Sequence, residues 1–296
     1  MKLFDPALRF YKGNTHTHTT LSDGRVSPEE CMRQYKAAGY DFLALTDHWH
    51  VGEERSYQGM LIVPGVEYDF TFPTQVLHLV CLYPDARLAA GIDRGTDHKA
   101  VIDHINRVGG VAIAAHPAWS LNTPDFLASL DGVRLSEVYN TMSGEPYNGP
   151  RANSESLLDV AAANGKLFSL VAADDSHAYQ GEQCVSYIML QAEELTVPSV
   201  LQALRQGRFY ASQGPQFHNI EFRGDELVIE SSPVRRITVC SNLYYVKDRC
   251  AEGQDLTGRK YQVRPGERWL RVQMIDDQGR TAWSSPIDLT KRKDHP

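Results

Sequence analysis

The sequence lacks the features that mark membrane and secreted proteins. Its 296 residues contain no apolar run that approaches the roughly 20 residues needed to cross a bilayer. The first residues show neither a basic stretch followed by an apolar one nor a small-residue cleavage site, so we expect no secretory signal. These absences predict a cytoplasmic protein that has no membrane partner.

Cysteine is scarce and scattered along the chain. The five cysteines are an odd number, lie far apart and form no CxxC pair: Cys31, Cys81, Cys184, Cys240 and Cys250. This usage fits neither a disulfide framework nor a zinc site built from thiolates. We therefore expect reduced thiols with structural roles.

Positive charge is also in short supply. The chain has 30 Lys and Arg residues against 37 Asp and Glu residues, which gives a net charge of −7. Proteins that bind nucleic acid cluster Lys and Arg to displace counterions from the phosphates, so this balance argues against a nucleic-acid partner. The composition, 42% hydrophobic and 23% charged, is typical of globular domains. We expect a small-molecule substrate.

Short apolar runs alternate with helical patterns over residues 1–213, which predicts βα units around a mostly parallel sheet. Buried strands are predicted at 40–46, 61–66, 76–83, 111–115, 133–139 and 167–173. Helices are predicted at 27–39, 97–108, 124–130, 154–164 and 196–206. About seven such units favour an α/β barrel or near-barrel, although a doubly wound open sheet has the same periodicity.

The pattern changes at Gly214-Pro215. From there onward the chain has short alternating strands separated by Gly and Asp turns. This predicts a small antiparallel β domain of the sandwich type over residues 214–296, after a catalytic domain over residues 1–213.

Histidine and acidic residues recur at the ends of the predicted strands. His16 and His18 are two residues apart on an extended segment, so their rings project from one face and can share a cation, and the same holds for Asp175 and His177. The other candidate ligands are Asp23, His48, Glu67, His78 and His116. Alone, His78 is explained as well by packing and Asp23 by a Ser-Asp-Gly turn, but the joint recurrence predicts a metal site. Nitrogen and carboxylate ligands without cysteine suit Mn²⁺, Zn²⁺ or Fe.

Five segments resemble, in order, the motifs of the PHP (polymerase and histidinol phosphatase) family of metal-dependent phosphoesterases. They are His16-Thr17-His18-Thr19, Leu45-Thr46-Asp47-His48, Gly65-Val66-Glu67, Ala115-His116-Pro117 and Asp175-Ser176-His177. This resemblance covers roughly residues 11–207, and segments 207–215 and 279–286 are similar to the CehA/McbA-like branch, which is named for carbaryl-degrading hydrolases.

The resemblance implies a distorted, TIM-like (β/α)7 barrel that holds two or three divalent metal ions. It implies a first site made by His16, His18, Glu67 and Asp175, a second by Glu67, His78 and His116 with Glu67 bridging, and a third by Asp23, His48 and His177. Some family members have histidine where this chain has Asp23, so the third site is expected to be weaker or different.

The expected reaction is hydrolysis of a small phosphomonoester by a hydroxide that bridges two metals, with Glu67, Asp175 and His177 as the catalytic residues. The positive charge of the ions favours an anionic substrate. A carboxylester or carbamate hydrolase uses the same attack on a carbonyl carbon and is the alternative that the tail favours. A metal-binding interaction module without catalysis is the third hypothesis.

Further residues are predicted to support the site. Candidate substrate contacts are Arg25, His50, Trp119 and Arg151. Asp47 and Asp174 are expected to orient ligand histidines through a ring N–H group. Glu137, at the end of a predicted strand, is a candidate for contact with the site or for an ion pair.

Overall fold

The computed structural model describes residues 1–291 and is a mixed α/β protein with one large sheet. The strands are β1 (Arg9–Asn14), β2 (Phe42–Leu45), β3 (Arg55–Tyr57), β4 (Met60–Thr71), β5 (Val76–Leu82), β6 (Val111–Ala114), β7 (Leu135–Asn140), β8 (Ser169–Ala173), β9 (Tyr187–Ala192), β10 (Phe209–Ser212), β11 (Phe217–Arg223), β12 (Glu226–Ser241), β13 (Cys250–Gln262), β14 (Trp269–Ile275), β15 (Thr281–Trp283) and β16 (Ile287–Asp288). The helices are α1 (Pro28–Ala37), α2 (His98–Arg107), α3 (Pro124–Ala128), α4 (Glu155–Ala163) and α5 (Val197–Gln206), and a 3₁₀ turn covers Ala86–Ala89.

The helix signals in the sequence place the helices correctly. Ser27 caps α1 by accepting a hydrogen bond from the backbone N–H of Glu30, and Pro28 occupies the first turn. Gly207 ends α5 in the left-handed conformation with φ +68°, a geometry that glycine adopts without a steric penalty. Among residues 1–291, none of the helices combines the length and apolar character needed to cross a membrane.

Strand direction in the central sheet differs from the prediction. The order is β10-β9-β1-β2-β4-β5-β6-β7-β8, and of its eight neighbouring pairs only β1·β2, β2·β4, β6·β7 and β7·β8 are parallel. The expectation of a mostly parallel sheet is therefore wrong. One reason is local: only residues 72–75 separate β4 from β5, which is long enough for a hairpin but too short for a helical crossover.

The sheet of residues 1–291 does not close into a barrel. Strand β8 ends the order and lies beside β9 and β10 without forming a ladder with either. Its Leu170 backbone N–H donates to the side chain of Ser285 instead. The segment that leads into β9 is likewise bound by a side chain, because Asp174 accepts the backbone N–H groups of residues 184–186. These contacts replace the ladder that a closed barrel would need, so the expected (β/α)7 barrel is an open mixed sheet.

The strands after residue 214 are antiparallel, as expected, and extend the same sheet. Strand β15 pairs with β10 at Ala211 and Trp283, so the predicted boundary at 213/214 falls between two strands of one continuous sheet. The apolar core of this region also contains Phe4 and Tyr210 from the first part of the chain. Independent folding of residues 214–296 stays a prediction, and residues 292–296 lie outside the described residues.

Candidate metal centre

The nine predicted ligands lie together at one edge of the sheet. His16 and His18 follow β1, His48 follows β2, and Asp175 and His177 follow β8. Glu67 and His78 lie within the paired strands β4 and β5, His116 follows β6, and Asp23 lies in the loop before α1. Eight of them form three groups whose ligand atoms lie within 4.8 Å of one another, and His116 joins through Glu67 at 3.4 Å.

The innermost group consists of four buried side chains. The Nε2 atoms of His16 and His18 lie 3.1 Å apart, and each lies 3.1 Å from Oδ1 of Asp175. Oε2 of Glu67 lies 3.2 Å from Nε2 of His16 and 3.0 Å from Nε2 of His18. Four ligands at 2.0–2.1 Å around a tetrahedral zinc ion are separated by roughly 3.3 Å, so this spacing fits one ion.

A buried atom without a partner supports the same fit. Oδ1 of Asp175 is buried and has no hydrogen-bond partner. A buried acceptor left without a partner is costly, and carboxylates buried in proteins are paired or bind metal. The donor set of imidazole nitrogens and carboxylate oxygens thus fits a divalent transition metal.

Glu67 is shared between two groups of histidines. Its Oε2 atom faces His16 and His18, whereas its Oε1 atom lies 2.9 Å from Nδ1 of His78 and 3.4 Å from Nε2 of His116. One carboxylate therefore presents one oxygen to each group. Glu67 would thus be able to contribute one oxygen to each of two ions.

A third group lies at the rim of the centre. Oδ2 of Asp23 lies 3.4 Å from Nε2 of His177 and 3.9 Å from Nε2 of His48, and Oδ1 lies 3.4 Å from Nδ1 of His18. Burial works against the charge on Asp23, but contacts with His177 and His18 hold the pKa of its carboxyl well below the usual range. Burial lowers the pKa of His48, which keeps this ring neutral and able to bind a cation. The Asp23 side chain is 54% exposed, so this group is more open to water than the inner one.

The buried carboxylates control the protonation of the two inner rings. Burial works against the charged form of His16, but the carboxylates of Asp175, Glu67 and Glu137 outweigh it and hold the pKa of this ring well above its usual range. The pKa of His18 is raised against burial in the same way, with Asp175 as the strongest raising contact. The negative potential that favours protons at these rings favours metal cations there as well.

Contacts around the ligands fix their orientation. Oε1 of Glu137 lies 2.8 Å from Nδ1 of His16, and Ser120 Oγ lies 3.0 Å from Nδ1 of His116. Oδ1 of Asp69 approaches Nδ1 of His48 to 3.5 Å without a hydrogen bond. Ser120 and Asp69 were not among the predicted residues, although the two-residue spacing of Asp69 from Glu67 on one strand was a signal that both face the same side.

The expected roles of Asp47 and Asp174 are wrong. Asp47 accepts hydrogen bonds from the backbone N–H and hydroxyl of Thr19 and from Ser22, so it holds the loop after His18. Asp174 accepts from Asn14 and Tyr35 and from the backbone of residues 184–186. Both carboxylates bind backbone N–H, hydroxyl and side-chain amide groups rather than histidine rings.

Three residues at or beside the centre have a left-handed backbone. Asp175 has φ +56°, His116 φ +30° and Trp49 φ +56°, and none of these residues is glycine. Such conformations are costly for residues with side chains, and they persist where the surrounding structure imposes them, typically at functional sites.

A cleft of about 230 Å³ opens over the cluster. Besides ligands it is lined by Trp119, Met142, Ser143 and Asn148, and Trp119 packs edge-on against His116 with ring centroids 4.9 Å apart. The other predicted substrate contacts, all exposed, do not line this cleft: Arg25, His50 and Arg151. Arg151 lines a neighbouring cleft that shares Trp119.

No known family model matches the chain, and no curated protein matches it. Among solved structures, a two-domain protein from Bacteroides vulgatus that contains a predicted PHP-like metal-dependent phosphoesterase is similar over 95% of this chain and 96% of its own, with 15% identity and a TM-score of 0.52.

Two further structures are similar at lower TM-scores. A putative metal-dependent phosphoesterase from Bifidobacterium adolescentis is 16% identical over 56% of this chain and 87% of its own, with a TM-score of 0.39. An amidohydrolase from Chromobacterium violaceum with bound sulfate and no metal is 16% identical over 67% of this chain and 96% of its own, with a TM-score of 0.40. The chain thus shares the fold of the two-domain protein with the predicted PHP-like phosphoesterase.

Proposed function

We propose that this protein is a metal-dependent phosphoesterase that hydrolyses a small phosphomonoester. The observation that carries the proposal is the position of Glu67, whose Oε2 atom faces His16, His18 and His48 and whose Oε1 atom faces His78 and His116. Divalent ions at such paired sites activate water and neutralise the charge of a phosphoryl group. The resemblance of segments 207–215 and 279–286 to the CehA/McbA-like branch favours the second candidate described below.

The proposed inner set is one of the clustered groups, and the second set adds His116 through its contact with Glu67. His16, His18, Glu67 and Asp175 would hold the inner ion, and Glu67, His78 and His116 a second one. Asp23, His48 and His177, assisted by His18, would hold a third at the rim. Mn²⁺, Zn²⁺ and Fe²⁺ all suit these donors.

Hydrogen bonds within the chain set which ring nitrogen faces the ions. Nδ1 of His177 lies 2.7 Å from the backbone carbonyl of Asp175. A carbonyl only accepts, so Nδ1 carries the proton and Nε2 of His177 keeps its lone pair toward the cleft. This atom can bind an ion, or it can accept a proton and return it to the leaving group as the ester bond breaks.

The charge balance favours an anionic substrate. The inner and second groups together contain four histidines and two carboxylates, those of Glu67 and Asp175. Two divalent ions would exceed this negative charge, so the loaded cleft attracts a phosphate.

One observation favours a second candidate, a carboxylester or carbamate hydrolase. The residues that line the cleft over the cluster include no lysine or arginine within the described chain, and Trp119 and Met142 supply apolar surface. An uncharged ester with an aromatic leaving group would fit such walls. The same ions would polarise its carbonyl oxygen.

Activity of reloaded protein tests the proposal. Chelator-stripped protein is reloaded with Mn²⁺, Zn²⁺ or Fe²⁺ and assayed against matched phosphomonoesters, carboxylesters and carbamates. We expect metal-dependent phosphate release that is lost in Asp175→Ala and kept in Asp277→Ala, a change at an exposed position outside the clefts. Ester or carbamate cleavage without phosphate release would establish the second candidate, and metal binding without any hydrolysis would indicate an interaction module.

A further inference from the structure

A second cleft adjoins the metal centre. Its volume is about 540 Å³, and Asp23, His48 and His78 line both this cleft and the smaller one over the cluster. The two spaces therefore meet at the candidate ligands. A substrate whose reacting group lies at the cluster can extend into the larger cleft without crossing the protein.

Arg94 is the only lysine or arginine that lines this second cleft in the described chain. Within residues 1–291 its guanidinium group forms no ion pair and no hydrogen bond. Its carbon atom Cζ lies 5.1 Å from the centre of the Trp49 ring, which is a cation–π contact. The contact holds the guanidinium group and leaves its N–H donors free.

The Trp49 ring is itself fixed in place. Its Nε1 atom donates to Oδ1 of Asp69 at 2.5 Å, and its ring packs edge-on against Tyr68 with centroids 4.9 Å apart. The backbone of Trp49 is left-handed, with φ +56°, a conformation that persists where the surrounding structure imposes it. Arg94 thus rests on a rigid support beside the centre.

The acidic residues of the second cleft are already engaged. Asp23 contacts His18 and His177, and Asp69 contacts Trp49 and lies 3.5 Å from Nδ1 of His48. Both carboxylates therefore already contact candidate ligands or a residue beside them. The charge of Arg94 is left for a ligand.

We infer that Arg94 binds a second anionic group of the substrate, which rests on the proposed function. The substrate class is then a phosphomonoester that carries a carboxylate or another phosphate some distance from the ester. Arginine binds either group through two parallel hydrogen bonds. The candidate metal ligands of the smaller cleft would bind the reacting phosphate, and Arg94 in the larger cleft would bind the distant anion.

Paired substrates test this inference. Phosphoric esters of hydroxyalkanoic acids of increasing chain length are compared with the primary amides of the same acids. In the metal-loaded wild-type protein we expect a lower KM for the acid at the chain length that reaches Arg94. Arg94→Ala should raise that KM by roughly 10- to 100-fold, as expected for the loss of a charged hydrogen bond. It should cause little change in kcat or in the KM for the amide.

Two variants serve as controls. Arg94→Lys keeps the charge but loses the paired hydrogen bonds, so its KM should lie between those of the wild type and Arg94→Ala. Arg235→Ala removes an exposed arginine outside the clefts and should leave the KM for both substrates unchanged. Equal KM values for acid and amide in the wild type, or an equal effect of Arg94→Ala on both, would overturn the inference.

A binding measurement distinguishes a failure of this inference from a failure of the proposed function. Phosphonoalkanoic acids, which are not hydrolysed, are titrated calorimetrically into metal-loaded wild type and Arg94→Ala. If no phosphoester is cleaved but the phosphonate binds more weakly to Arg94→Ala, the proposed function fails and the anion site stands. If phosphoesters are cleaved and phosphonate binding is the same in both proteins, the anion site fails and the proposed function stands.

Discussion

Nδ1 of His16 lies 2.8 Å from Oε1 of Glu137, and both side chains are fully buried. A carboxylate only accepts, so the ring carries its proton on Nδ1 and presents Nε2 to Asp175 and Glu67. The other oxygen of Glu137 accepts from the backbone N–H of His116. One buried acid thus orients residues of two ligand groups.

Glu137→Gln is expected to weaken metal binding without removing a ligand. The amide keeps one acceptor but loses the charge and the second acceptor, so His16 is held less firmly, and changes of this kind lower metal affinity by about 10- to 100-fold. Competition of the stripped protein with a zinc-sensitive dye measures the affinity. Glu230→Gln, at an exposed position far from the centre, is the control. An unchanged affinity in Glu137→Gln would show that this contact does not support the site.

Asp174 and Asp175 are adjacent, but substitution of Asp175 should affect metal binding and substitution of Asp174 should affect fold stability. Asp175→Asn should weaken metal binding at the inner group with little loss of fold stability, since its side chain faces that ligand group. Asp174→Ala should leave the N–H groups of Cys184, Val185 and Ser186 without an acceptor, at about 1–3 kcal/mol each. Urea unfolding of the stripped proteins and calorimetric metal titration separate the two effects. Loss of metal binding in a stably folded Asp174→Ala would contradict this assignment.

Metal loading should stabilise the protein. A cation that binds only the folded state at about 1,000 times its Kd adds about 4 kcal/mol to the free energy of unfolding. We therefore expect a higher Tm for protein loaded with Zn²⁺ than for chelator-stripped protein, and a Tm that depends on metal concentration. Asp175→Asn, which lacks one ligand of the inner group, should show a smaller increase in Tm. An equal increase in this variant would show that the inner group does not hold a stabilising ion.

Stability should fall at alkaline pH because buried tyrosines must ionise. Burial raises the pKa of Tyr68 to about 12, although the hydroxyl of Tyr83 at 3.1 Å opposes the shift. An unfolded tyrosine titrates near about pH 10. The raised pKa in the fold means that the contribution is fully present below about pH 10 and is lost as the pH rises through about 12. Urea unfolding over this range should show the fall, and Tyr68→Phe should reduce it. Tyrosinate absorbance of native protein that rises fully near pH 10 would contradict the prediction.

Arg271 should couple the two predicted domains. Its side chain, 2% exposed, lies in β14, and its Nε and Nη2 atoms bind the carboxylate of Asp159 in α4 at 2.6 and 2.7 Å. Oε2 of Glu155 also lies 3.0 Å from Nη2 of Arg271, so Arg271→Met leaves two carboxylates without their cation and should lower the free energy of unfolding by roughly 3 kcal/mol. The double variant Arg271→Met/Asp159→Leu should recover part of the loss, because Glu155 still lacks its partner. Two separate unfolding transitions, of which only one shifts, would show that residues 214–296 fold independently.

The sequence by itself determined the local part of this structure. The capping residues predicted α1 because Ser27 and Pro28 act within one turn of their own helix. The two-residue spacing of His16 and His18 predicted that both rings face one cation, since side-chain direction in an extended segment alternates. The recurrence of histidine and acid at strand ends likewise placed the candidate ligands in one cluster.

Only the tertiary structure decided which groups support that cluster. The chain sequence contains Asp47 and Asp69 with equal chemistry, but Asp47 turns to Thr19 and only Asp69 reaches the His48 ring. The position of Arg94 over Trp49 could not be predicted either, because it depends on how a long loop packs across the sheet edge. Strand direction and the open edge at β8 likewise could not be predicted from the sequence. Local pattern fixes which face a side chain takes, whereas contacts between distant segments depend on packing that no short stretch of sequence encodes.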